Sequence, residues 1–102
     1  MESKFEWDLI KEKSNIRKHH VSFETATRVF ADPFAVVEQD RIENGEYRWR
    51  TLGMVDDFWV LLVVAHTISI NEDGTEVIRI ISARRAGRKE KQRYEENCPL
   101  RG

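Results

Sequence analysis

The chain has a single cysteine, Cys98. An internal disulfide is therefore excluded, and a lone thiol suits a reducing cytoplasm. No basic or histidine neighbour in the sequence marks it as reactive. No apolar run approaches the length of a membrane span. The opening stretch "MESKFEWD" lacks the apolar core of a signal peptide. No glycine-rich stretch has the form of a phosphate loop. No spacing of histidine with carboxylates forms a metal-ligand set, and the acidic pair Asp56-Asp57 reads as a turn, so neither metal nor cofactor is expected. Repeats, low-complexity tracts and linkers are also missing. The 102 residues therefore read as one domain, 1–102.

What the chain does have is charge, unevenly placed. Residues 1–30 hold six Lys or Arg against five Asp or Glu; residues 31–76 hold three against ten; residues 77–102 hold eight against three. The net charge of -1 is thus an average over an acidic middle and a basic end. A basic end attracts phosphate locally, whereas an acidic middle suits a basic partner. The basic run sits in "IRIISARRAGRKEKQRY", where a buried-looking strand passes directly into arginines and lysines.

The pattern of elements is helices first, then strands, then a helix. "FEWD" reads as a short strand, and Asp8 as the N-cap of a helix from Leu9 to about His19 with Leu9 and Ile16 on its inner side. Lys11, Asn15 and Lys18 or His19 recur at spacings of three and four and share another face. Ser22 caps a second helix whose apolar stripe is Phe23, Ala26, Val29 and Phe30, ended by Asp32-Pro33. Four strands follow: "FAVVE", "EYRWRTL" after the turn signal "NG", the long apolar "FWVLLVVAHTISI", and "EVIRIISAR" after the turn "NEDG". Tyr47 and Trp49 point one way, Arg48 and Arg50 the other. The long apolar strand is expected at the centre, covered on both faces. A last helix, 88–96, is polar enough that weak docking is expected; Gly87 stands at its N-cap with Glu90 three residues on. The fold class is α+β: two N-terminal helices on a four-stranded antiparallel sheet, the short "FEWD" strand as a fifth, and a C-terminal helix.

Four blocks, "FEWD", "NIRKHHVSFETATRVFADP", "EYRWRTLG" and "IRIISARRAGRKEKQRYE", resemble the BrnT family in order and spacing over about residues 5 to 95. That family is the toxin half of a bacterial type II toxin–antitoxin pair. The resemblance implies a RelE-like ribonuclease fold, RNA cleavage that arrests growth, and a BrnA-like ribbon-helix-helix antitoxin as partner. Operator DNA would be met only through that antitoxin. The chain departs from the family pattern at His20, where glycine is usual, at Gly87 and Lys91, and at His66, where tyrosine is common.

RNA cleavage by internal attack needs a group to take the 2′-OH proton, charge to balance the pentacoordinate phosphate, and a proton for the leaving oxygen. Arginine suits the phosphate because its planar fork is bidentate and always charged. The resemblance favours Arg79 and Arg84 in that role. Regular strand geometry alone would set those two on opposite faces, five residues apart, and group Arg85 with Arg79, unless the strand ends or bulges first. His66, Lys18 and His19 are the further catalytic candidates. Arg48, Trp49, Arg85 and Tyr94 are candidates for contact with RNA, with Tyr94 equally suited to docking its helix. Trp7, Trp49, Phe58 and Trp59 are expected in the core first, Trp49 being the one of them best placed to touch bases because its strand also carries Arg48. Two other functions stay open: a nucleic-acid binder that cuts nothing, and a module that only engages its antitoxin.

Overall fold

The computed structural model describes residues 3–55 and 60–98. Phe58, Trp59 and the Asp56-Asp57 pair lie outside the described residues. The elements run β1 (Ser3–Trp7), α1 (Leu9–His19), α2 (Phe23–Thr27), a 3-10 turn (Arg28–Ala31), β2 (Val36–Glu43), β3 (Glu46–Val55), β4 (Val60–Ile70), β5 (Glu76–Arg85) and α3 (Arg88–Asn97). Among the described residues, no helix is long and apolar enough to cross a membrane.

The strands form one sheet in the order β1-β5-β4-β3-β2. β2 to β5 are an antiparallel meander, as the turn signals predict. The Asn44-Gly45 turn has positive φ at both residues, as a two-residue hairpin requires. The all-antiparallel expectation is corrected at β1. It runs parallel to β5, with Phe5 beside Ile78 and Trp7 beside Ile80, so the sheet is mixed and five-stranded. This pairing joins the first strand to the last, and no local turn announces it.

α1, α2 and the 3-10 turn cover one face of the sheet, here the helix face. Phe23, Ala26 and Val29 are fully buried there against Leu62, Val64, Ile80 and Ala83. The second helix expected to run unbroken to Asp32 is split instead, because its last turn tightens to 3-10 where it lands on the sheet. At Gly53 of β3 an added Cβ would lie 2.8 Å from both Cβ and the carbonyl oxygen of Val29, so only glycine lets the turn approach this closely.

α1 corrects a second expectation. Leu9 and Ile16 do not face inward: they are 68% and 41% exposed. The buried residue of α1 is Asn15. β1 covers β5 only as far as Ile80. Beyond it the β5 edge is open, and Asn15 takes over. Its Nδ2 donates to the carbonyls of Ala83 and Val21 at 2.9 Å each, and the Ala83 N–H donates to its Oδ1 at 3.1 Å. A side-chain amide thus does what a neighbouring strand would do, and a polar residue wins the inner position because the edge needs hydrogen bonds.

α1 ends at His20, which sits in the left-handed region (φ 60°, ψ 31°) with its N–H donating to the Ile16 carbonyl at 2.8 Å. This is the C-terminal position glycine fills without steric cost. We expect His20→Gly to stabilise the protein by about 1 kcal/mol, part of the left-handed penalty being offset by the freer unfolded chain. A higher urea midpoint at unchanged slope is the expected result; a lower midpoint would mean the imidazole contributes contacts that outweigh the backbone strain.

Candidate nucleic-acid interface

The second face of the sheet carries the arginines. The device that gathers them is a bulge in β5. Ala65 pairs with Ser82, but the next residue, His66, pairs with Ile80, leaving Ile81 as the extra residue. The insertion shifts the alternation by one. Arg79, opposite Thr67, and Arg84, opposite Val63, therefore share one face despite their odd spacing. Arg85, opposite Leu62, turns to the helix face, so its expected grouping with Arg79 does not hold. Arg50 of β3 stands opposite Ala65 on the arginine face, with Arg48 two residues before it on the same side. The strand positions between these arginines on this face include the small residues Ala65, Thr67 and Ser82.

α3 closes one end of this face. Tyr94 is buried on Leu52, Leu61 and Val63, and its hydroxyl donates to Asp32 Oδ2 at 2.6 Å. Asp32 also accepts the N–H of Met54 at 2.8 Å and of Phe34 at 2.9 Å. Burial, with the Asp32 bond added, pushes the Tyr94 hydroxyl well above its usual titration range. Tyr94 is thus engaged in docking, and its ring has no free face for a base. The polar helix is held more firmly than its sequence suggests, by this aromatic and by two ion pairs.

The first pair is Arg84 with Glu90. Two guanidinium nitrogens donate to the two carboxylate oxygens at 2.8 and 2.6 Å, and the Gly87 N–H donates to the same carboxylate at 2.7 Å. The Arg84 fork, chiefly, draws the Glu90 carboxyl down to about 2. The second pair joins Arg93 of α3 to Glu38 of β2 at 2.7 Å, with Arg50 reaching the same carboxylate at 3.5 Å. Because folding depresses the Glu90 pKa, its contribution is complete above about pH 4.5 and fades as pH falls toward 2. Glu90→Gln should cost about 1–2 kcal/mol at neutral pH, discounted for solvent screening at the partly exposed Arg84. Urea unfolding across pH should show the gap between wild type and variant closing in that acid window; a gap independent of pH would refute the assignment.

Arg79 differs from Arg84. It is exposed, and no side chain among the described residues pairs with it. Its cross-strand neighbour on the same face is Glu6 of β1, a carboxylate inside the "FEWD" block that nothing local in the sequence links to Arg79. Arg48 meets Glu43 only at 3.4 Å. The Nε atoms of Arg48 and Arg50 are buried without a hydrogen-bond partner among the described residues, so neither guanidinium is locked as Arg84 is.

Along the outer flank, α1 and the bulged end of β5 enclose a cleft of about 290 Å³ lined by Lys11, Ser14, Asn15, Lys18, His19, Ile81 and Ser82. Ser82 belongs to the arginine face, so the cleft opens onto it. Lys18 and His19 thus line a cleft at the β5 edge beside Ser82, and their shared helical face with Lys11 and Asn15 is as the spacing predicts.

His66 and Trp49 are not part of this grouping. They are a cross-strand pair on the helix face. His66 is 1% exposed, lies edge-on to Phe30, and shares a 2.7 Å hydrogen bond with Thr51 Oγ1. Its Nδ1 is 3.3 Å from the Thr67 carbonyl, which only accepts, so Nδ1 carries the proton and Nε2 accepts from Thr51. Burial lowers the His66 pKa and keeps the ring neutral. It is a core histidine, out of reach of anything bound on the arginine face. Trp49 lies across the sheet from Arg48, because neighbouring strand residues alternate.

Residues 7–90 match the family model described as the ribonuclease toxin, BrnT, of type II toxin–antitoxin systems. No curated protein matches the chain.

Proposed function

The chain belongs to the BrnT family of ribonuclease toxins, a membership that gives it an RNA target and an antitoxin partner, and we propose that it cuts RNA without a metal ion on its arginine face. The observation that carries this reading is the β5 bulge, which sets Arg79 and Arg84 on one face above a floor of small residues. In the proposed reaction the substrate 2′-oxygen attacks the adjacent phosphorus as the bond to the 5′-oxygen breaks. The products are a 2′,3′-cyclic phosphate and a free 5′-hydroxyl. Arg79 and Lys18 bind the phosphate, and Arg84, held by Glu90, adds positive charge from the α3 side. His19, which lines the cleft, takes the 2′-OH proton and passes one to the leaving oxygen. Arg48 and Arg50 guide the backbone of the RNA across the sheet. The fold is read as RelE-like, residues 1–102 as one domain, and the partner as a BrnA-like ribbon-helix-helix protein that alone contacts operator DNA.

The test is incubation of the purified protein with RNA in excess chelator, followed by analysis of the new ends. Cyclic phosphate ends are the expected product. Cleavage that requires an added divalent ion would overturn the metal-free mechanism, and RNA that is bound but left intact would return the chain to a binding role.

A further inference from the structure

The helix layer covers only part of its face of the sheet. Toward the end that carries the 44–45 and 71–74 turns the layer reaches as far as Phe30, whose ring lies 5.3 Å from that of Phe5. Ile42, Tyr47, Ile68 and Ile70 are large, apolar and exposed beyond it, Val37 is exposed on the outer strand β2, and Phe5, at the margin of the layer, is still 37% exposed. They share one face. Phe5 and Ile68 both stand beside Ile78, Ile42 beside Tyr47, and Val37 beside Thr51. Tyr47 precedes Trp49 by two, and Ile68 follows its partner His66 by two, so strand alternation aims them the same way. The result is an apolar band running from β2 to β1, larger than the scattered apolar residues normal on a protein surface.

Its rim is acidic. Residues 40–46 and 71–76, in and beside the two hairpins, hold six carboxylates, Asp40, Glu43, Glu46, Glu72, Asp73 and Glu76, against one arginine, Arg41. This charge argues against RNA, whose phosphates the rim would repel. It also argues against a second copy of this chain, since a two-fold pairing would set acid against acid. A basic partner with an apolar stripe fits both features.

We infer that this band is the docking site for the antitoxin, which presents to it an amphipathic helix flanked by lysines and arginines. The inference rests on the antitoxin partner that family membership supplies and is independent of the cleavage chemistry. Five strands at ~4.8 Å span about 19 Å, which a helix of about 13 residues crosses. Such a helix completes the layer that α1, α2 and the 3-10 turn begin. The toxin then has two working surfaces on opposite sides of one sheet: arginines for RNA, and an apolar band with an acidic rim for its antitoxin.

The test is the affinity of the purified toxin for the antitoxin encoded in its own operon, measured calorimetrically. The double variant Tyr47→Asp/Ile68→Asp should weaken binding at least ~30-fold. Glu46→Lys/Glu72→Lys, on exposed positions, should weaken it about tenfold and flatten its salt dependence. Both variants should keep wild-type circular dichroism and RNA cleavage, and Arg79→Ala should bind antitoxin as the wild type does. Affinities within about threefold of wild type for both band and rim variants would overturn the proposal. So would a free toxin that is dimeric and that the band substitutions convert to monomer, because the band would then serve a second copy. A wild type that binds its antitoxin but cuts no RNA would sink the cleavage reading alone.

Discussion

Replacing Arg79 with alanine should lower RNA cleavage at least ~100-fold while leaving stability within about 0.5 kcal/mol of wild type. The two halves of this expectation have one cause. Arg79 is exposed and has no side-chain partner among the described residues, so the fold spends nothing on it. A guanidinium that neutralises a phosphate more strongly at the pentacoordinate stage than in the ground state acts on the rate, so the loss should fall mainly on kcat. Arg79→Lys should recover part of the rate, because it restores charge without the planar fork. Arg84→Ala is the instructive contrast. It removes the partner of Glu90 and loosens α3, so lost activity there arrives with lost stability. Cleavage by Arg79→Ala within about threefold of wild type would remove this residue from the reaction.

The second large effect is expected at Asn15. Asn15→Ala should destabilise the protein by about 3 kcal/mol, the usual toll for leaving two or three buried backbone groups unpaired. One amide serves the N–H and carbonyl of Ala83 and the carbonyl of Val21. Against a total stability of roughly 5–15 kcal/mol for a domain of this size, that is a large fraction. Asn15→Asp should be as harmful despite its nearly identical shape, since a carboxylate cannot donate to the two carbonyls and would bury a charge. The cleft that holds Lys18 and His19 is anchored through the same residue, so cleavage should fall with stability. Urea unfolding decides the matter: a loss under 1 kcal/mol would mean that β1 and the packing of α2 hold the β5 edge without this amide.

Much of the architecture was legible in the residues. Asp8 and Ser22 accept the N–H groups that helix caps are expected to accept. Asn44-Gly45 and Asn71–Gly74 are the turns their composition announces. Phe23, Ala26 and Val29 bury the stripe their spacing draws, and β3 alternates Tyr47 and Trp49 against Arg48 and Arg50. Each of these features depends on neighbours within a few positions. The misreadings share the opposite property. Leu9 and Ile16 read as inward because they are apolar, yet α1 meets an open strand edge that needs an amide, and Asn15 turns in. His66 lies in a strand next to the arginine strand, yet the face it occupies is set by alternation and sealed by Phe30, 36 positions away in the chain.

The sequence by itself determined the order and kind of the elements, their caps and turns, and the uneven division of charge, since these follow from local propensity and periodicity. It also carried the family resemblance. The tertiary structure alone decided which charges meet. A single extra residue, Ile81, has no mark of its own in "IRIISARR", because the bulge exists only in the pairing of β5 with β4. That pairing sends Arg79 and Arg84 to one face and Arg85 to the other, while the parallel β1 brings Glu6 beside Arg79. Contacts between residues far apart in the chain are set by packing and by the hydrogen bonds of the whole sheet, and no stretch of sequence contains them.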